Sequence, residues 1–364
     1  MEGEILLEVK DLKTYVYDDE RRGFFRIVDG VSFKIPEGKT VALIGESGSG
    51  KTRTAYSILG LVPDHPGIVG GQILFKRGSE RIDFLEKLEK ICSIKEDGNL
   101  LRIVKDGPKW RKKYGYEDLM RGIRGKHISL VMQEAKSALN PYQSVGRQVR
   151  EAYVIGHDGS EADAGETVHL LLEELGIAES ARKYPHSLSG GMAHRAIMAV
   201  AFASDPDLLI ADEPTTGMDS PLQIKVIELL ERFMSGQLIS GGKTTRRSLL
   251  LATHQLEIVE KLADRIVVMY AGKVLERGPA DVILQGGAKH PYTEKIVRIY
   301  REAPGTDLGA LVSIPGSVPS LLSRFRGCRF HPRCGRKIGV CEEAKPQQIL
   351  IDRETDHEVT CHLF

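Results

Sequence analysis

The sequence lacks an apolar run long enough to cross a bilayer. One stretch with few charges, Ala196–Ser204, is far shorter than the roughly 18 residues that a spanning helix needs. The first ten residues, MEGEILLEVK, put acids first and contain no apolar core, so no secretory signal is expected. The chain is therefore expected in the cytosol, with any membrane role reached through partners. An excess of either charge is missing too: 51 Lys and Arg stand against 50 Asp and Glu, a net of +1. That balance excludes a whole-chain nucleic-acid binder and a disordered acidic protein. Cysteines are too few and too odd in number, at five, for a disulfide framework. There is no internal repeat and no low-complexity segment. What remains is an ordinary globular composition, 41% hydrophobic and 28% charged over 364 residues, enough for one large domain or two ordinary ones.

Short strand patterns fill the first 75 residues. Ile5–Val9 and Val31–Ile35 alternate or run apolar, and Pro36-Glu37-Gly38-Lys39 reads as a turn. Thr40–Ile44 is β-branched and uncharged, the pattern of a buried strand. A glycine-rich loop follows, then a helical pattern over Thr52–Leu59; Gln72–Phe75 is another strand. Residues 134–200 look mainly helical, with Asn140-Pro141 as a break and Glu166–Leu175 at helical spacing. Leu208–Ala211, Ser248–Ala252 and Arg265–Tyr270 are three more buried strands. Strands alternating with helices predict an α/β core around a parallel sheet. After about residue 280 the texture turns to Gly, Pro and short runs, and a boundary is placed there. Residues 76–126 stand apart, with 15 Lys and Arg against 9 Asp and Glu and the only tryptophan, Trp110. This segment reads as a solvated helical insertion or as a contact to a partner.

Chemistry concentrates at three places. Gly45-Glu46-Ser47-Gly48-Ser49-Gly50-Lys51-Thr52 fits G-x-x-x-x-G-K-[ST] and lies between a predicted strand and a predicted helix, the context the motif requires. Glycines let backbone N–H groups curl around phosphate oxygens, and the helix N-terminus adds partial positive charge. Lys51 would reach the β- and γ-phosphates, and the Thr52 hydroxyl would hold Mg²⁺. Leu208–Ala211 runs into Asp212 and Glu213; a strand-tip carboxylate can hold Mg²⁺, and its neighbour can polarise an attacking water. Asp212 is assigned to the metal and Glu213 to the water. Leu188-Ser189-Gly190-Gly191-Met192 lies 23 residues before Asp212, counted from Ser189, and would open a helix as a second anion-binding terminus.

With these three motifs in this order the sequence resembles the nucleotide-binding subunits of ABC transporters, LSGGM standing for the commoner LSGGQ. The resemblance extends to Gln133 in VMQE as the glutamine loop that senses Mg²⁺, to Asp219 in TTGMDS at the dimer interface, and to His254 in ATHQ as the switch histidine. An aromatic near the N-terminus is expected to stack on adenine, with Tyr15 preferred over Tyr17. Tyr184–Met192, Ala211–Thr216, His290–Thr293, Ile314–Pro319 and Gly327–Cys334 look like the oligopeptide/dipeptide importer subfamily and its C-terminal extension. The departures are Ala193-His194-Arg195 where Arg-Gln-Arg is usual, Gly217-Met218 before Asp219, and Gln255 after His254.

The resemblance implies an α/β fold, a P-loop (RecA-like) ATP-binding cassette over 1–280 with an antiparallel β subdomain and a helical subdomain at 134–200. Residues 281–364 would form a Cys-rich C-terminal extension. It implies an ATPase whose ATP lies between the loop of Lys51 on one subunit and the signature loop Ser189-Gly190-Gly191 of a second, often non-identical, ATP-binding subunit. Two transmembrane permeases and an extracytoplasmic solute-binding protein would complete the machine at the cytoplasmic face of the membrane. Oligopeptides or dipeptides are the expected cargo, with oligosaccharides or nickel as alternatives. A non-transport ABC ATPase is disfavoured, because no long coiled-coil insertion and no second cassette are present.

Four cysteines crowd into the last 37 residues as Cys328, Cys334, Cys341 and Cys361, while Cys92 stands alone. The spacing C-x5-C-x6-C-x19-C fits no structural zinc pattern. The same four positions are associated in the subfamily with a [4Fe–4S] cluster, a group that four thiolates can bind, so a cluster is expected, with zinc, free thiols or a disulfide as alternatives. Residues 324–337 add six Lys and Arg and no acid, which would stabilise concentrated thiolate charge. The neutral composition is thus a cancellation: residues 76–126 and 324–337 carry +6 each and the remainder −11.

Overall fold

A computed structural model describes residues 3–62, 66–86, 93–97, 100–104, 114–158, 164–238, 246–302, 314–322 and 325–364. Trp110 and Cys92 lie outside the described residues. The chain divides into two units: one of Pro36–Thr40 and Met120–Ala252, the other of Glu2–Ile35, Val41–Leu119 and Thr253–Phe364.

The second unit begins with β1 (Ile5–Asp18), β2 (Gly23–Pro36), β3 (Thr40–Ile44), α1 (Lys51–Ile58), β4 (Pro66–Arg77) and β5 (Glu80–Asp83). The strands β2-β1-β4-β5 form one sheet. β1 and β4 run antiparallel with Val9 opposite Ile73, and β4 and β5 pair Phe75 with Ile82. This is the antiparallel portion expected at the N-terminus. β6 (Ser93–Asp97) and β7 (Leu100–Val104) form an antiparallel hairpin before α2 (Tyr114–Arg121). The expectation of a helical insertion over 76–126 is therefore corrected: among the described residues β5, β6 and β7 precede α2. Its alternating charges masked short β-branched and aliphatic runs such as Leu100–Val104, which pair locally.

In the first unit, β8 (Ile128–Val131), α3 (Ala135–Ala138), α4 (Val145–Gly156), α5 (Ala164–Glu174), α6 (Gly190–Ala203), β9 (Leu208–Asp212), α7 (Ser220–Met234) and β10 (Ser248–Thr253) follow in order. β9 lies between β8 and β10, parallel to both, with Ile210 opposite Leu130 and Leu250. Every residue of β9 and of β10 is buried, as expected for parallel strands covered on both faces. The helices bury one stripe each: Val145, Val149 and Tyr153 on α4, and Val168, Leu171 and Leu172 on α5, positions three or four apart. Burying such a side chain contributes about 1.5–3 kcal/mol. Ser189 starts α6, its Oγ accepting from the Met192 N–H at 3.3 Å, a cap that satisfies one orphan donor of the first turn.

The second unit resumes with α8 (Leu256–Leu262), β11 (Arg265–Tyr270), β12 (Lys273–Pro279), α9 (Ala280–Val282), α10 (Pro291–Glu302), α11 (Val340–Glu343), β13 (Gln348–Asp352) and β14 (His357–Thr360). β11 runs parallel to β3, with Val267 opposite Leu43, and antiparallel to β12. β14 then adds to β12 with Glu276 opposite Val359, and β13 adds to β14. The last strands of the chain thus extend the sheet that carries β3. Glu276, 1% exposed, fastens this join: it accepts from the N–H groups of Lys289 and His290 at 2.7 and 2.9 Å, and its Oε1 lies 2.8 Å from His357 Nε2.

Candidate functional site

The phosphate-loop motif stands between β3 and α1, as its spacing predicts. The loop turns at three glycines with positive φ: Gly45 at 149°, Gly48 at 77° and Gly50 at 103°. Two of them are needed for close approach as well. A Cβ at Gly45 would come within 2.1 Å of the Met269 carbonyl oxygen, and one at Gly50 within 2.5 Å of that of Ile27. A Cβ at Gly48 would meet nothing, so that turn of the loop faces open space. Lys51 Nζ donates to the carbonyl oxygens of Gly45 at 2.8 Å and Glu46 at 3.2 Å. Ser49 is buried; its N–H donates to Glu46 O at 3.1 Å and its carbonyl accepts from Gly272 at 2.9 Å. Its Oγ has no hydrogen-bond partner among the described residues. Ser47 is exposed on the loop and Thr52 is half-buried in the first turn of α1.

The tyrosines at the N-terminus are placed differently from the expectation. Tyr15 is buried, and its hydroxyl donates to Asp29 Oδ1 at 2.8 Å. Burial, and then the Asp29 charge, push its hydroxyl pKa well above the ordinary tyrosine value. A ring so enclosed offers no face to a base, so the preference for Tyr15 as the adenine platform is corrected. Tyr17 is 39% exposed and packs against Phe24 with ring centroids 4.9 Å apart.

The other unit holds the strand-tip acids. Asp212 ends β9 with no exposure, and Glu213 follows at 7%. Glu213 has φ of 48°, a left-handed conformation that costs a residue with a Cβ roughly 1 kcal/mol or more. It is held there by its N–H, which donates to Ala252 O on β10 at 2.8 Å, and by Thr216 Oγ1, which donates to its Oε2 at 3.1 Å.

In the same unit Ser189 and Gly190 lie exposed at the start of α6, with Gly191 half-buried behind them. A Cβ at Gly191 would press to 2.9 Å from Leu222 Cδ2. Gln133 is exposed just beyond β8, and Asp219 is exposed at the N-cap of α7. The Asp219 loop is braced by Gln223 Nε2, which donates to Met218 O at 3.2 Å. His194, where the family pattern has glutamine, is buried on α6. Burial holds its pKa down at about 4, against a hydrogen bond to the Pro214 backbone, one residue past Glu213. His254 follows β10, half-buried, and belongs to the unit of the phosphate loop. The predicted residues therefore divide: Tyr15, Gly45 through Thr52 and His254 in one unit; Gln133, Ser189 through Gly191, Asp212, Glu213 and Asp219 in the other.

Cys328, Cys341 and Cys361 are buried and Cys334 is half-buried; all four are free thiols. Burial pushes the Cys328 thiol up to about 11, and the charges of Cys341 and Cys361 add to it. Cys361 is raised as well, by burial and then by Cys334 and Cys341. The four thiols feel one another, yet among the described residues no group of three or more His, Cys, Asp or Glu side chains is arranged to hold a metal ion. The expectation of an iron–sulfur cluster thus finds no support in this geometry. The contacts of this segment come instead from the arginines between the cysteines. Arg329 donates to the Ala271 carbonyl and to Asp29 Oδ2, and Arg333 reaches Glu46 of the phosphate loop. Sequence reasoning missed both, since nothing local marks a partner about 300 residues away.

Among the described residues no helix is long and apolar enough to cross a membrane. The family model described as ABC transporter matches residues 28–216, and that described as the C-terminal region of oligopeptide/dipeptide transporters matches residues 275–341. The oligopeptide transport ATP-binding protein AppD of Bacillus subtilis is 34% identical over 362 residues, covering 99% of this chain and 97% of its own. The dipeptide transport ATP-binding protein DppD of Escherichia coli is 34% identical over 349 residues, covering 95% and 93%. The dimeric structure of a post-hydrolysis state of the ATP-binding cassette MJ0796 with ADP and Pi has a TM-score of 0.57 and 20% identity, spanning 76% of this chain and 99% of that one. The structure of cbiO1 from Clostridium perfringens gives 0.54 and 22%, spanning 83% and 97%. The expected cassette fold is the fold of this chain.

Proposed function

Because this chain belongs to the ABC transporter family, we propose that it is the ATP-hydrolysing subunit of an importer for oligopeptides or dipeptides. The names of the curated relatives favour peptides over oligosaccharides or nickel. Two permeases, an extracytoplasmic solute-binding protein and a second ATP-binding subunit, identical or not, would complete the machine, with this chain peripheral on the cytoplasmic face. Residues 1–280 would form the cassette, with 134–200 as its helical part, and 281–364 the extension.

The observation that carries the reading is Glu213. A buried acid held at positive φ, directly after a fully buried strand-tip Asp212, is strained where a water-orienting carboxylate is needed. Glu213 orients the attacking water, and His254 contacts the γ-phosphate. Lys51 leaves the carbonyls of Gly45 and Glu46 for the β- and γ-phosphates, and the open side of Gly48 leaves room for them. A phosphate oxygen would also give the orphaned Ser49 Oγ an acceptor. Thr52, Gln133 and Asp212 would hold Mg²⁺, since all three offer oxygen, the donor that ion takes; when bound, it offsets phosphate charge. The exposed Ser189 and Gly190 close on ATP of the second subunit, and Asp219 lies at that interface. Tyr17 takes the adenine. A cluster on the four cysteines is no part of this proposal.

The test is Glu213→Gln. It should bind ATP with unchanged affinity, trap a closed dimer and lose turnover by about 10²-fold or more. Turnover near that of the unaltered protein would remove Glu213 from this role. Stimulation of the reconstituted complex by binding protein loaded with peptides, compared with oligosaccharides, decides the cargo.

A further inference from the structure

The phosphate loop is gripped from the far end of the chain. Arg333 Nη1 donates to Glu46 Oε2 at 2.9 Å and Oε1 at 3.2 Å, and to the Tyr270 hydroxyl at 3.1 Å. Its Nη2 donates to Ile314 O at 2.9 Å and its Nε to Pro315 O at 3.1 Å. Every nitrogen of the guanidinium is used. The side chain is 6% exposed and that of Glu46 17%. The other end of Glu46 is held as well: its N–H donates to the Tyr292 hydroxyl at 2.9 Å.

Arg333 and Tyr292 are in turn fixed by a block of buried rings. Tyr292 lies 4.9 Å from Tyr270 and 5.3 Å from Phe330, centroid to centroid, and Phe330 lies 5.7 Å from His290. Tyr270, Tyr292 and Phe330 have no exposure. The Arg333 guanidinium also sits 5.7 Å from the Tyr270 ring centroid. A largely buried ion pair costs desolvation that apolar packing would avoid, so it is weak evidence of a gain in stability. Its mechanical consequence is specific. Glu46 is the second residue of the loop, and the carbonyls of Gly45 and Glu46 are those that receive Lys51 Nζ. Fixing Glu46 at both its carboxylate and its N–H fixes the carbonyls that hold the ammonium.

We propose that Arg333, with the Tyr292 hydroxyl, is a positioning residue for nucleotide binding: it sets the phosphate loop through Glu46, so that affinity for a nucleoside diphosphate or triphosphate depends on the C-terminal segment. The proposal rests on the reading of Gly45–Thr52 as the nucleotide site. Pre-setting the loop lowers the ordering that binding must otherwise supply.

The experiment uses the full chain. MgADP affinity is measured by equilibrium titration, and KM and kcat for ATP by turnover. Arg333→Met should weaken ADP roughly tenfold, the scale of one charge-assisted hydrogen-bonded pair, and raise KM similarly, with kcat within about twofold. Arg333→Lys should recover part of the loss, since it keeps the charge on Glu46 but cannot also reach Ile314 and Pro315. Adding Glu46→Gln to Arg333→Met should cost nothing further, because Arg333 acts through Glu46. Unchanged ADP affinity in Arg333→Met, a loss confined to kcat or to melting temperature, or additive losses in the double variant would overturn the proposal. If Arg333→Met does not fold, Glu46→Gln alone decides: affinity equal to that of the unaltered protein overturns it. Lys51→Ala separates the premise. If it binds ADP as tightly as the unaltered protein, the nucleotide-site reading itself is wrong; if it weakens ADP while Arg333→Met does not, only the positioning role fails.

Discussion

Gly45–Thr52 and Gly327–Cys334 are segments of equal length in the same unit, and both attract attention by spacing. They work in opposite ways. In the first, the backbone shapes the loop: positive φ at Gly45, Gly48 and Gly50 folds it, and Lys51 turns its ammonium back onto the loop's own carbonyls. In the second, the spaced residues are not the ones that reach out. Cys328 is buried and Cys334 half-buried, while Arg329 and Arg333 carry the contacts to Asp29, Ala271 and Glu46. A backbone conformation is written locally and can be read locally. A side-chain partner brought in by the fold cannot.

The largest expected difference between the two segments is in nucleotide affinity. Lys51→Ala removes the cation proposed to meet the phosphates and should weaken ATP by about 10²-fold or more, whereas Cys328→Ser should leave ATP affinity within about twofold. Equal losses in the two variants, measured by equilibrium titration, would erase the contrast and make the cysteine segment part of the nucleotide site.

Stability should reverse the order. Arg329 is 6% exposed and pairs with Asp29, itself 7% exposed. Burial would raise the Asp29 pKa, but Lys273 and Arg329 and the Tyr15 hydroxyl together lower it below the ordinary carboxylate value. Arg329→Ala leaves that carboxylate with Lys273 at 3.5 Å and Tyr15. It should cost roughly 3 kcal/mol of unfolding free energy, read from urea denaturation, while Ser47→Ala on the exposed turn of the phosphate loop should cost almost nothing. A loss below about 1 kcal/mol for Arg329→Ala would mean that Lys273 suffices.

The same contrast explains how far the sequence alone reaches. β3 and β9 were legible because uncharged β-branched and aliphatic runs have few other uses, and Thr40–Ile44 is observed with the bounds its pattern predicts. The phosphate loop, the paired acids and the start of α6 at Ser189 were legible because each is a local rule of turn, strand tip or cap. The strands of 80–104 were not, because charged residues alternate through them. Tyr15 was misjudged for the same reason that Arg333 was missed. Its burial depends on Asp29 across the sheet, which no spacing in β1 announces.

Acid should act through the ring block behind Arg333. His290 is 1% exposed, and burial, helped by repulsion from Arg336, holds its pKa down at about 3. Its Nδ1 accepts from the Tyr292 N–H at 3.0 Å, a bond that needs the neutral ring. The unfolded chain protonates this histidine near about 6.5, so between those values the unfolded state binds more protons. Stability is therefore complete above about pH 6.5 and drains as pH falls toward 3. His194, held down at about 4 by burial, acts in the same direction. His290→Asn should lower stability at pH 7 and flatten its decline between pH 6.5 and 4.5. An unaltered slope of urea midpoint against pH would assign the decline to other groups.

The smallest expected effect separates the two N-terminal tyrosines. Tyr15 and Tyr17 lie two residues apart on β1 and are chemically identical, but one is 6% and the other 39% exposed. Stacking of a base on an exposed ring contributes about 1 kcal/mol, so Tyr17→Ala should weaken ATP about fivefold and barely change stability. Tyr15→Phe removes a hydrogen bond to a buried carboxylate and should cost about 1.5 kcal/mol of stability with ATP affinity unchanged. The adenine dependence sharpens the assignment further: Tyr17→Ala should reduce the advantage of ATP over inorganic triphosphate, whereas Tyr15→Phe should not. If the affinity loss follows Tyr15 instead, the ring must leave Asp29 when nucleotide binds, and the raised hydroxyl pKa of Tyr15 would relax toward its ordinary value in the bound state.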